Sequence, residues 1–577
     1  MNKTLLPGLL ALLVTQQLNA QIGDFSVQMD SNRPNVVLIL TEDMNPRLGA
    51  YGDPNAVTPN IDALAKESVL FTNAFTMAGV SAPSRAGLIT GMPPQGTGLL
   101  HMRTSTYKHK YQGVPPAYVK AYPELLRSNG YFTYNDTKTD YQFSDGHADV
   151  GPFSIWTEHG SYSNIDDLRV PPAWENYDLK GKPFFINLNP QITHESGIFT
   201  AKNVEKIEPA FKALPALWDK LRSYYSLPNI DPKKLQIDPY WKDTPEVRNE
   251  LALFYKNINV MDQQVGNIIE RLKHDGLWNN TIVIFAADNG DGLPRHKREG
   301  YDSGTHVPLI IHVPAKYKPA GWKKDGLKDD RLVSFEDLAP TILGFSRTRI
   351  PFYMKGIDLS QDNAPKRQYI VSARGRMDDV DLRSYYVRNS QYQYVQNIDK
   401  TPNGSDIAFR DVLDTTRTLN AAHQQGLLNA DQEKWYSTKP EEELYDLQKD
   451  PWQLHNIAGE KVSAPLLTSF RQKLEQWRNE TNDTAIIPEE QLVKDLQDPN
   501  GQTRKTLPPV AEYNPVTDKV YIANRTDGAS VGYSLDGKEW DIYNGALIVP
   551  PDTKKIFIKA VRYGWKESDA QEFSLPR

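Results

Sequence analysis

Two unbroken apolar runs, each ending in acid, restrict what this chain can fold into more than any other feature. Asn35-Val-Val-Leu-Ile-Leu40 is soon followed by Glu42-Asp43, and Thr281-Ile-Val-Ile-Phe-Ala-Ala287 by Asp288-Asn289. A run with no polar alternation reads as a strand buried on both faces, as in the interior of a parallel sheet. Between them lies a long amphipathic stretch. Thr244 is placed to cap its start, Pro245 takes the first helical position, and Val247, Leu251, Phe254, Ile258, Met261, Val265, Ile268 and Leu272 repeat at spacings of three and four. Strand, helix and strand in alternation predict a doubly wound α/β domain. Ligands of such sheets bind at the carboxyl ends of the strands, which is where both acidic pairs fall. An Asp or Asn after one strand is by itself only a loop starter. Two such pairs offer Glu42, Asp43, Asp288 and Asn289 as oxygen ligands to one hard cation, and two further oxygens would bring the number to roughly six, which suits calcium.

The pattern changes beyond about residue 345. Tyr369-Ile-Val-Ser-Ala, Leu382-Arg-Ser-Tyr-Tyr-Val-Arg and Gln391-Tyr-Gln-Tyr-Val read as short strands, followed by a polar helical stretch near 410–435. From about residue 506 short strands such as Lys519–Ala523 and Lys555–Val561 appear, with Asp536-Gly537 as a hairpin turn. The expected organisation is therefore a catalytic α/β domain over 21–345, a smaller α+β subdomain over 346–505 and a β-sandwich over 506–577.

Residues 1–20, with Lys3, an apolar run from Leu5 to Val14 and Leu-Asn-Ala before Gln21, are expected to be a cleaved secretory signal. The apolar run is too short to span a bilayer as a helix. The chain has no cysteine, so neither disulfides nor lipid attachment at cysteine is expected, and the product should be periplasmic or secreted, without membrane insertion. A formal charge of −6 gives no reason to expect a nucleic-acid partner.

Ser81-Ala-Pro-Ser-Arg85 resembles the [Cys/Ser]-x-Pro-x-Arg signature of the type I sulfatases. The resemblance extends through NVVLILTEDMN, GAYGDPNAVTPNIDALAKESVLFTNAFT, FAADNGDGLPRHKREGYDSGTHVPLIIHVP and ELYDLQKDPWQLHN, and covers most of 34–460. It implies an alkaline-phosphatase-like fold with a large mixed, mostly parallel sheet. It also implies that Ser81 is oxidised to formylglycine by a serine-type radical SAM maturase, which points to an anaerobic bacterium. The hydrated aldehyde is then the nucleophile, and Pro83 is expected near the opening of a helix whose N-terminus favours an anion.

Position by position, the resemblance makes Arg85 the holder of the nucleophile and Lys138 and Lys297 the sulfate-binding lysines. His194, in NLNPQITHES, becomes the general acid at the leaving oxygen. The family's Lys-x-His block stands here as Lys138-Thr139-Asp140, so Asp140 replaces a histidine and becomes the candidate base. His101, Arg103, Arg295, Arg374 and Arg376 are candidate contacts to a sulfated, carboxylated sugar, since arginine binds both anions in forked geometry. The spacing around Lys297 and ARGRMDD at 373–379 are similar to the sulfamidase branch. The terminal segment, VGYSLDGKEW to IFIKAVRYGWKES, resembles the small sandwich that ends chitobiase-like enzymes. The expected function is removal of sulfate from glycosaminoglycan-derived saccharides. N-sulfoglucosamine hydrolysis stands as an alternative, phosphoester hydrolysis on the same fold as a more distant one, and a non-catalytic glycan binder is disfavoured by the filled site positions.

Overall fold

The computed structural model describes residues 33–576 except 103, 105–110, 137, 144–149, 161–172, 177–178, 180, 206–210, 378–379, 406 and 408, so the expected signal segment and Arg103 lie outside the described residues. Eight strands form the central sheet: β1 (Asn35–Thr41), β2 (Val69–Phe75), β3 (Phe132–Asn135), β4 (Glu158–His159), β5 (Phe184–Leu188), β6 (Thr281–Ala287), β7 (His306–His312) and β8 (Leu327–Ser334). Their spatial order is β4-β3-β5-β1-β6-β7-β2-β8. From β4 across to β6 every pairing is parallel, as is β2 with β8, while β7 runs antiparallel to both its neighbours. The sheet is thus mixed and mostly parallel. Every residue of β1, β5 and β6 is buried, which is why their sequences show no alternation.

The helices that matter for the site are α1 (Pro59–Lys66), α2 (Ser81–Thr90), α3 (Tyr122–Ser128), α4 (Pro245–His274), α5 (Asp414–Gln424) and α6 (Ala464–Thr481). Thr244 Oγ1 accepts from the Val247 N–H at 3.4 Å and caps α4, and all eight apolar positions of its three-four repeat are buried. The same face carries two acids. Glu250 accepts from the N–H groups of Asp414 (2.7 Å) and Thr415 (2.9 Å) at the start of α5. Asp262 accepts from those of Ile61 (2.8 Å) and Asn60 (3.2 Å) at the start of α1. One long helix thereby satisfies the free N–H groups of two others.

The smaller subdomain is an antiparallel sheet of β9 (Ile370–Arg374), β10 (Ser384–Arg388), β11 (Tyr392–Asn397) and β12 (Glu442–Asp446), with Leu467, Phe470 and Leu474 of α6 packed on it. The helical stretch expected near 410–435 is present in pieces: a 3-10 turn at Arg410–Val412, α5, an α-helical turn at Ala430–Glu433 and a 3-10 turn at Lys434–Tyr436. The terminal unit pairs β13 (Val510–Asn514) with β14 (Lys519–Ala523), beside a sheet of β15 (Ser530–Ser534), β16 (Asp541–Ile542), β17 (Lys555–Val561) and β18 (Gln571–Ser574).

Candidate active site

Parallel register decides where the chemistry gathers. Thr41 of β1 lies opposite Ala287 of β6, so Glu42-Asp43 and Asp288-Asn289 leave the sheet side by side. On the other flank of β1, β5 releases the segment holding Asn189, His194 and Glu195, and its neighbour β3 releases Asp136 to Asp140. The β6–β7 connection carries Lys297, and the turn after β2 leads into α2. Five connections therefore meet at one edge.

Ser81 is the first residue of α2, with Val80 as N-cap, so the helix opens two residues earlier than Pro83 suggests. Proline is tolerated there because the first-turn N–H groups have no partner within the helix. Ser81 Oγ lies 3.2 Å from Asn289 Oδ1 and 3.4 Å from Glu42 Oε2. Arg85, one turn on, reaches three acceptors: Asp288 Oδ2 at 2.8 Å, Asn189 Oδ1 at 2.7 Å and Glu42 Oε1. Lys138 Nζ donates to Glu42 Oε2. Lys297 Nζ donates to Asp43 Oδ2 at 2.7 Å and pairs with Glu195 Oε1 at 2.8 Å. Arg298 grips the two oxygens of Glu195 at 2.8 and 2.9 Å.

The carboxylates of Glu42, Asp43 and Asp288 offer oxygens within 4.8 Å of one another, as do Asp43 and Glu195 with a His194 ring nitrogen. Cationic side chains reach both groupings, Lys297 through Asp43 and Glu195, and Lys138 and Arg85 through Glu42 and Asp288, but only the first faces Ser81 Oγ and is the candidate cation site. The Asn289 amide nitrogen donates to Asp43 Oδ1 at 2.9 Å, leaving its Oδ1 facing Ser81. Burial, with the facing Asp288, Glu195 and Glu42 carboxylates, pushes Asp43 up to about 6 in spite of Lys297. Burial and then Glu42 push Asp288 up as well. Burial would also raise Glu42, but Lys138 and Arg85 hold it below the usual carboxylate range. A buried, mutually repelling set of hard oxygens is what a calcium ion relieves, and these residues fit one.

His194 caps a short turn. Its Nδ1 accepts from the Ser196 N–H at 3.3 Å and lies 2.8 Å from Ser196 Oγ, while Nε2 stands 4.0 Å from Asp43 Oδ2. Burial, then Lys297 and Lys138, push the ring well below its ordinary value, and the Ser196 N–H on Nδ1 leaves Nε2 as the nitrogen on the side of the acid cluster. Asp140 is buried with φ at 59°, and Asp43 has φ at 40°, both in the left-handed region that costs a non-glycine residue energy and marks functional sites.

The candidate sugar contacts lie apart from this cluster's hydrogen bonds. Arg295 is stacked between Tyr240 (4.7 Å) and Tyr301 (4.4 Å) and donates to the Gln453 carbonyl, so protein groups take its fork. Arg376 grips Glu489 with two bonds, and its N–H donates to His101 Nδ1 at 2.9 Å. Burial lowers His101 to about 4, so it too is neutral. Arg374 pairs with Glu299 and donates to Asn403, but its Nε and second terminal nitrogen are buried with no hydrogen-bond partner among the described residues. Glu195, Asn189 and Arg298 were not among the expected site residues. Only the adjacency of Glu195 to His194 and of Arg298 to Lys297 points to them in sequence.

A serine hydroxyl at a helix N-terminus, a buried acid cluster fit for one cation and four cationic side chains thus gather at one edge of a mixed, mostly parallel sheet. A family model described as Sulfatase matches residues 34–346. An ulvan-active sulfatase of Formosa agariphila is 34% identical over 570 residues, covering 94% of this chain and 91% of that one. Human N-sulphoglucosamine sulphohydrolase is 27% identical over 81% of this chain and 94% of its own length. The structure of a 2-O GAG sulfatase shares the fold, with a TM-score of 0.54 at 21% identity over 78% of this chain and 93% of that chain. The chain belongs to the sulfatase family and is a sulfuric ester hydrolase.

Proposed function

We propose that the protein removes sulfate groups from saccharides cut from sulfated polysaccharides, using one calcium ion held by Glu42, Asp43, Asp288 and Asn289 and a formylglycine made from Ser81. The observation that carries this reading is the place of Ser81 Oγ, 3.2 Å from Asn289 Oδ1 and 3.4 Å from Glu42 Oε2, at the mouth of α2. Calcium supplies there a fixed positive charge that draws sulfate oxygens towards the nucleophile. Formylglycine, which a serine-type maturase would make before use, supplies a more reactive oxygen than a serine hydroxyl.

The chain's own residues do the rest. Glu42, Asp43, Asp288 and Glu195 face Arg85, Lys138, Lys297 and Arg298, so the buried charges balance before an ion or substrate arrives. With a divalent cation held by Glu42, Asp43, Asp288 and Asn289, the site would carry the net positive charge that an anionic ester needs. Lys138 and Lys297 bind sulfate oxygens, Arg85 orients position 81, and the helix N-terminus favours the developing negative charge. His194 Nε2–H donates to the bridging oxygen as it takes on charge. Asp140 stands where the family has a histidine and is the candidate base. Among the candidate sugar contacts, Arg374 keeps donors without a partner among the described residues. The hydrophobic leader expected at residues 1–20 directs export to the periplasm or beyond, and among the described residues no helix is long and apolar enough to cross a membrane.

The ulvan-active relative and the N-sulphoglucosamine relative suggest different sugars. The deciding assay is release of inorganic sulfate from ulvan-derived, 2-O-sulfated and N-sulfated saccharides beside matched phosphate monoesters. At least one sulfated sugar should turn over far faster than any phosphate ester. Faster phosphate release, or two metal ions per active chain, would reverse the reading.

A further inference from the structure

The terminal β-domain is joined to the catalytic domain by buried polar chemistry. Glu124 of α3 is buried and accepts from Ser530 Oγ at 2.6 Å, from the Tyr563 hydroxyl at 2.6 Å and from Ser154 Oγ. Lys120 donates to the Gly528 carbonyl at 2.9 Å and to Ser530 Oγ at 2.6 Å. Arg127 donates to the Trp540 carbonyl at 2.6 Å while holding the carbonyls of Phe153, Ser154 and Trp156. A tether would not need a buried carboxylate with three hydroxyl donors.

One strand of this junction leads to the catalytic loop. The Tyr563 ring stacks on Phe143 with centroids 5.0 Å apart and planes 13° apart, and Phe143 stacks on Tyr141 at 5.8 Å. The Gly564 N–H donates to the Phe143 carbonyl at 3.2 Å, and that of Gly113 donates to the Gln142 carbonyl at 2.8 Å. Gly564 has φ at +79°, and a Cβ there would lie 2.2 Å from the Gly113 carbonyl oxygen, so only glycine permits the approach. Asp140 and Gln142 both sit in the left-handed region, at 59° and 66°. Non-glycine residues stay there only when their surroundings hold them.

We propose that the terminal β-domain is a clamp on the loop at 138–143, with Tyr563 the positioning residue that fixes Lys138 and Asp140. This rests on the reading that Lys138 acts on sulfate. In the full-length, matured enzyme, Tyr563→Leu opens the stack, Tyr563→Phe keeps it and drops only the hydroxyl, and Lys559→Ala loosens the junction elsewhere, at Phe153, Trp540 and Glu567. All three should lower the melting temperature. Only Tyr563→Leu should lose kcat, by about tenfold to a hundredfold, with faster amide exchange in the peptide containing Lys138 to Phe143. KM should stay within about threefold. A folded Tyr563→Leu with wild-type kcat and unchanged exchange in that peptide would overturn the proposal. If that variant does not fold, Phe143→Leu opens the same stack from the loop side and is read in the same way. Lys138→Ala is run alongside. Wild-type turnover there removes the role given to Lys138, whereas a dead Lys138→Ala beside a fully active Tyr563→Leu removes the clamp alone.

Discussion

Glu42 is shared by three groups with different tasks: the Ser81 hydroxyl, the Arg85 guanidinium and the Lys138 ammonium. Asp43 plays the matching part for Lys297 and Asn289, and Asp288 for Arg85. Removing one carboxylate therefore strips a cation ligand and frees a buried base at once. Asp288→Ala should lose bound calcium, read by metal analysis of the purified protein, along with detectable turnover. In the proposed mechanism His194 acts through a proton, so His194→Ala should cost about 10²–10⁴-fold with sugar sulfates. Its effect should shrink with an aryl sulfate whose phenol leaves without protonation, and an equal loss on both substrates would deny it the proton-donor role. The four metal-ligand candidates were readable because each follows an apolar strand. Asn189 and Arg298 were not, because they act only through side chains brought next to them from distant segments, Arg85 and Glu195.

Among the elements, β1, β6 and α4 were legible to within a residue or two, since full burial and a three-four repeat leave plain marks in the sequence. The start of α2 was not. Pro83 reads as the opening of the helix, but the helix begins at Ser81 and its cap is Val80, whose side chain makes no capping bond. The capping of α1 and α5 by Asp262 and Glu250 was also out of reach, because it joins residues about 160 to 200 apart in the chain. Burial pushes Glu250 up to about 7, against the pull of its Thr415 and Asp414 donors, from an ordinary 4.5. Its folded value lies above its unfolded one, so this stability is complete below pH 4.5 and is lost as pH rises through about 7. Glu250→Gln cannot ionise. Between about pH 5 and about pH 8 the wild type should lose more melting temperature than Glu250→Gln, and parallel curves would show that Glu250 is not the titrating group.

Over the whole molecule, three units share continuous packing. The β9–β12 sheet is stitched to the turn after β2 by the Ala373 N–H bond to the Met77 carbonyl at 3.0 Å, and Tyr563 of the terminal unit lies in the main core. Calorimetry should accordingly show one dominant unfolding transition, and a separate early melt of the terminal unit would contradict that packing. The sequence showed three characters along the chain but not that the last is bolted to the first, because a buried Glu124 looks like any helix acid. The proposed mechanism turns on Ser81 as the precursor of the sulfate-accepting group. The most direct measurement is sulfate release by wild type and Ser81→Ala, each co-expressed with a serine-type maturase. The account predicts turnover by the wild type, whose Ser81 peptide is two hydrogen masses light, and none by a folded Ser81→Ala. Full sulfate release from Ser81→Ala would contradict it.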